Sequence, residues 1–122
     1  MKTKLALILL AAALSACARA DNGVRVTSSP QMARTSRSEP VNYNGRVYQV
    51  SLRFAPEKNA HRVTVAAPGR ALGGTAGDRM IVEQVAKSTV RHFACPGRQK
   101  GRIIPGTQRH AHGKWHMLVR CG

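Results

Sequence analysis

The chain has 122 residues, with 20 Lys and Arg against 5 Asp and Glu and a formal net charge of +15. That length leaves room for one small domain, and such a charge draws a protein toward polyanions without dictating its fold. Two Tyr, two Phe and one Trp are too few for the stacking platforms that bind single-stranded nucleic acid, so no nucleic-acid partner is expected.

At the start, Lys2 and Lys4 form a short basic region, Leu5 to Ala13 is an uncharged run rich in Leu and Ala, and small residues lead to Cys17. This is the layout of a secretory signal peptide. The run is too short to cross a bilayer, which takes about 20 apolar residues. Leu14-Ser15-Ala16-Cys17 resembles the lipobox of bacterial lipoproteins. The resemblance covers residues 1–17 and implies removal of residues 1–16, lipidation of Cys17 with acyl chains such as palmitate, and a mature chain beginning at Cys17. By resemblance to enterobacterial lipoproteins, Ala18 implies release to the outer membrane, facing the periplasm. An ordinary secretory signal, cut after Ala18-Arg19-Ala20, is the rival. Lipidation also explains an odd cysteine count, because Cys95 and Cys121 then remain as a pair in an oxidising compartment. Without Lys2 and Lys4, 18 basic residues face 5 acidic ones, a formal +13.

Residues 17–40 read as the lipidated Cys17 and a flexible tether, punctuated by Asn22-Gly23, Ser28-Ser29-Pro30 and Glu39-Pro40. Roughly 23 residues of coil span about 26 Å root-mean-square. Residues 41–122 form the domain. Val41 to Tyr43 and a strand from Arg46 flank Asn44-Gly45, a pair suited to the positive φ of a type I′ turn. Tyr48, Val50, Leu52 and Phe54 alternate with Gln49, Ser51 and Arg53, and a similar alternation over 62–67 follows a turn at Pro56 to Asn59. Pro68 to Gly77 is a flexible Gly-rich crossover whose spacing matches neither the P-loop nor the dinucleotide fingerprint.

Asp78 is the expected N-cap of a helix running to about His92, with Ile81, Val82, Val85, Ala86, Thr89 and Phe93 on one stripe. Glu83 and Lys87 are placed to pair one turn apart. After Cys95-Pro96-Gly97, segments around Arg102 to Ile104 and Lys114 to Cys121 read as a hairpin joined by Pro105 to Gly113. The fold class is α+β: a small antiparallel sheet with one helix packed on one face, in the order β-β-β-α-β-β, with one disulfide.

A Cys95–Cys121 bridge closes a loop of about 26 residues, worth roughly 3–4 kcal/mol by chain entropy. No motif sets a His beside Cys95 to make it a nucleophile. Paired carboxylates, a G-x-S-x-G elbow and an H-E-x-x-H helix are all missing, so no enzyme activity and no cofactor is expected. His110-Ala111-His112, with His116 and His92, is the one metal-like grouping, and His110 and His112 share a face if the segment is extended. No carboxylate lies nearby, and Arg109 and Lys114 would repel a cation. The sequence thus describes a lipid-anchored cell-envelope protein, a non-catalytic binding or assembly module. Its basic surface suits anionic lipids or other envelope polyanions, with envelope proteins as further partners. The alternative is a periplasmic metal-binding protein using His110 and His112.

Overall fold

A computed structural model describes residues 23–26 and 36–122. Cys17, both cleavage positions and most of the expected tether lie outside the described residues. The elements are β1 (Arg25–Val26), β2 (Arg37–Tyr43), β3 (Arg46–Ala55), a 3-10 turn (Pro56–Lys58), β4 (Ala60–Ala66), α1 (Ala76–Ala94), β5 (Gly101–Ile103), β6 (Arg109–Ala111) and β7 (Lys114–Cys121). All described strand pairs are antiparallel, in the order β1-β2-β3-β4-β7-β5, with β6 also on β7. The expected α+β order holds, with short strands added at β1 and β6.

Two boundaries move. Arg37 to Pro40, assigned above to the tether, form the first half of β2, where Arg37 pairs with Leu52 and Pro40 with Gln49. Among the described residues β1 reaches only Asn42 and Val41, so Pro40, which lacks an N–H, has a strand partner on the β3 side alone. Gly23 to Val26, also given to the tether, include the buried Val24 and the strand β1. The helix starts earlier than expected as well. Thr75 is its N-cap, with its hydroxyl accepting the Asp78 N–H at 3.1 Å, and Asp78 sits in the first turn, where a negative charge suits the helix dipole.

The alternation read from the sequence sets what is buried. Val50 and Leu52 of β3, Val63 and Val65 of β4, and Trp115, Met117 and Val119 of β7 face Val82, Val85, Ala86, Val90 and Phe93 of α1. Apolar burial of this kind gains about 25 cal/mol per Å² removed from water, which makes this layer the main source of stability. Phe54 departs from the pattern: it remains 37 % exposed and leans on His61, ring centroids 5.2 Å apart. The Arg37 guanidinium lies 4.2 Å from the centre of the Phe93 ring and pairs with Glu39 at 2.7 Å, closing one end of the core.

At the other end of the chain, helix and sheet meet backbone to backbone. A Cβ on Gly101 would stand 2.5 Å from the Lys87 carbonyl oxygen, so β5 can lie this close to α1 only as glycine. Beside it, Cys95 and Cys121 form the expected disulfide with Cα atoms 5.3 Å apart, tying the end of α1 to the end of β7. The expected Glu83–Lys87 pair gives way to another. Glu83 takes Arg79 at 2.9 Å, one turn before it, and also the Gln108 side-chain amide at 3.1 Å.

Candidate functional site

Because successive strand residues point to opposite faces, burying one set beneath α1 presents the other set on the far face of the sheet. Cross-strand registers place Arg53 opposite Arg62 and Arg62 opposite Leu118; Thr64 opposite His116 and His116 opposite Arg109; and Arg102 opposite Arg120. None of the described helix covers this side, so Arg53, Arg62, Arg102, Arg109 and Arg120 crowd onto one surface. Among the described residues, the carboxylate that meets it is Glu57, 3.1 Å from Arg62. Glu39 belongs to the opposite sheet face, and Asp78 and Glu83 to the helix. The Glu57 carboxyl is held below the usual carboxylate range, first by a hydrogen bond from its own backbone and then by Arg62.

Within this surface lies a groove of about 510 Å³ lined by Arg62, Thr64, Thr107, Gln108, Arg109 and His116, among others. Side chains from β4 and β7 line it, and the 106–109 segment closes one side. Thr107 fixes that segment: its hydroxyl donates to the Ile104 carbonyl at 2.7 Å and accepts the Leu118 N–H at 3.1 Å. Gln108 donates its amide to Glu83, which leaves its side-chain carbonyl buried without a described partner. His116 shares a hydrogen bond through Nδ1 with the Thr64 hydroxyl at 3.1 Å. Burial, and next the charges of Arg109 and Lys114 and the nearby His112, push its pKa below the usual imidazole value. The ring is therefore neutral near pH 7. Chemically, the groove offers guanidinium and imidazole N–H groups to an oxyanion.

His110 and His112 do not share one extended segment. His110 is in β6, with Nε2 donating to the Leu72 carbonyl at 2.7 Å and the ring against Trp115. His112 lies past the strand end, at φ +53° in the turn His112-Gly113. The extended geometry that would align the two rings stops at Ala111, because the tight turn into β7 needs positive φ there. His92 is on α1, packed edge-on against Phe93. Among the described residues, no three His, Cys, Asp or Glu side chains gather as metal ligands would.

The Gly-rich crossover is pinned, where a flexible loop was expected. Trp115 Nε1 donates to the Gly73 carbonyl at 2.9 Å, and the Leu72 N–H donates to Gly113 O at 2.8 Å. A Cβ on Gly73 would lie 2.6 Å from Asp78 Oδ2, so a carboxylate already occupies the space in front of the helix. The groove residues Arg62, Thr64, Thr107 and Gln108 were not singled out from the sequence, and Arg109 entered only as a charge that would repel a metal ion. Their signal was the polar half of each strand's alternation, which is ordinarily just the solvated side. Comparison with protein-family models, with curated proteins and with solved structures gave no match to this chain.

Proposed function

We propose that this chain is a lipid-anchored cell-envelope protein whose bare, basic sheet face is a non-catalytic binding surface for anionic envelope components. The observation that carries the reading is the gathering of Arg53, Arg62, Arg102, Arg109 and Arg120 on one uncovered face with Glu57 as its described counter-charge. The basic and apolar pattern ending at Cys17 supports the anchor, and Ala18 after it supports the outer-membrane location. A surface of this charge, held near a bilayer by its own lipid, gains roughly 1 kcal/mol per Lys or Arg that comes close to anionic headgroups.

Two measurements test the two halves of the reading. Cys17→Ser should abolish membrane fractionation, leaving either an uncleaved precursor or a soluble form cut before Asp21. A mutant that fractionates with membranes as wild type does, with no retained precursor, removes the anchor. For the surface, the full chain carrying Cys17→Ser should float with anionic vesicles far better than with zwitterionic ones at about 0.15 M salt, and the difference should vanish near 1 M as screening shortens to about 3 Å. Flotation indifferent to lipid charge means that the cations serve solubility alone.

A further inference from the structure

The five arginines of the bare face are not equivalent. Arg102 and Arg120 neighbour each other at the β5 side, and both donate to backbone carbonyls: Arg102 to Gly122, Arg120 to Asn59 and Lys58. Arg53 lies on β3, away from the groove. Arg62 and Arg109 alone of the five line it, on β4 and β6, with β7 and its His116 between them. The pair Thr64–His116 belongs to the groove as well.

Two guanidinium groups set on either side of an imidazole match an anion that spreads charge over several oxygens. A carboxylate has two coplanar oxygens and one charge, and a guanidinium fork already takes one lone pair on each of them. A tetrahedral phosphate has oxygens left for a second guanidinium and for a ring N–H. Arg62 is bound to Glu57 now, but both side chains of that pair are more than half exposed, and such pairs are worth about 0–1 kcal/mol. A phosphate arriving in the groove can take Arg62 over at little cost. The Thr107 bonds hold the 106–109 side in place, so the groove needs little ordering when it fills.

We infer that the groove between β4, β6 and β7 is a seat for a phosphate group, clamped by Arg62 and Arg109 with His116 supplying the third donor. This rests on the reading of the bare sheet face as the anion-binding surface, and gives that surface a specific ligand chemistry. The phosphate could belong to a lipid headgroup in a bilayer or to a soluble phosphate ester.

The test uses the full chain with Cys17→Ser, compared with the same chain carrying Arg109→Gln, His116→Gln, Arg102→Gln or Lys87→Gln. Inorganic phosphate and glycerol 3-phosphate are titrated by calorimetry and by the NMR signals of the His116 ring. Flotation with phosphatidylglycerol vesicles, relative to phosphatidylcholine, is measured in parallel. Phosphate should shift the His116 signals. Arg109→Gln should weaken binding about tenfold or more, the equivalent of about 1.4 kcal/mol and in the range of one hydrogen bond to a charged group. His116→Gln should weaken it less, and Lys87→Gln, which removes the same charge from the helix, should change nothing.

Binding of the small phosphates without charge-dependent flotation supports the seat with a soluble ester as its source. A tenfold loss on Arg109→Gln seen in flotation, with weak binding of the small phosphates, supports the seat with a headgroup as its source. If Arg102→Gln costs as much as Arg109→Gln, the groove is overturned and the diffuse basic face stands. If wild type binds neither the small phosphates nor anionic vesicles, both readings fall.

Discussion

The two faces of the sheet are built from the same strands, residue by residue in turn, and share almost no chemistry. Toward α1 point Val50, Val63, Val65, Met117 and Val119, each at most 3 % exposed. Away from it point Arg53, Arg62, Thr64, His116 and Arg120. Among the described residues α1 gives apolar cover to one side of the sheet, and the other side carries the polar half of each strand. Ser and Thr would have been polar enough there. Arginine in such numbers places repelling charges side by side, a cost that the burial on the other face offsets. The contrast teaches where function is affordable: the covered face is committed to stability, and the bare face is open to selection for a partner.

The largest expected effect lies on the covered face. Phe93→Ala should cost about 3–5 kcal/mol, because it empties a buried ring site and removes the platform under Arg37. Urea unfolding checks this, and a cost below about 1 kcal/mol would mean that the helix is not seated as described. The double change Cys95→Ser, Cys121→Ser comes next. Freed from a bridge spanning 26 residues in sequence, the unfolded chain regains entropy worth about 3.5 kcal/mol. Thermal unfolding with and without reductant should show the wild type falling to the level of the mutant, and the mutant unmoved.

A smaller effect comes from pH. Burial lowers the pKa of His61, and burial with neighbouring cations lowers that of His116. The unfolded chain therefore takes up protons first as pH falls, so stability is complete above the unfolded value near 6.5, declines below it, and levels off beneath the folded pKa. The urea midpoint at pH 5.5 should be lower than at pH 7.5, and His61→Gln should shrink that difference. An unchanged difference would assign the pH dependence elsewhere. The smallest stability effect belongs to the bare face: Arg53→Gln should stay within about 0.5 kcal/mol of wild type, since surface substitutions rarely do more. The same variant should reduce flotation with anionic vesicles. If Arg53→Gln instead unfolds the protein while Phe93→Ala is tolerated, the two faces have been assigned the wrong way round.

Much of this fold is legible from residue order alone, for reasons that are local. The period of two in Tyr48-Val50-Leu52 and in Trp115-Met117-Val119, the Asn44-Gly45 turn, and the helical stripe ending in Phe93 each follow from backbone geometry acting over a few residues. The Cys95–Cys121 pairing needed only a count of cysteines once Cys17 was set aside. Local reading failed where a distant partner decides. Arg37 to Pro40 look like linker until β3 supplies the strand they pair with, and Phe93 supplies a ring for Arg37. Asp78 is the expected cap in sequence, and Thr75 takes that place because the helix begins at Ala76.

The site shows the same split. The sequence by itself determined a strongly basic small α+β chain, an alternation in each strand, and a disulfide between its last two cysteines, because charge, period and cysteine count are properties of the chain. Only the tertiary structure decided which cations meet. Residues Arg62 and Arg109 lie 47 positions apart, and it is the pairing of β4 and β6 with opposite edges of β7 that puts them on one groove with His116 between. The same pairing separated His110 from His112 by ending β6 at Ala111 in a tight turn. A register between strands is a long-range choice, made by burying Val63 and Met117 under the helix, and the positions of the charges on the far face follow from it.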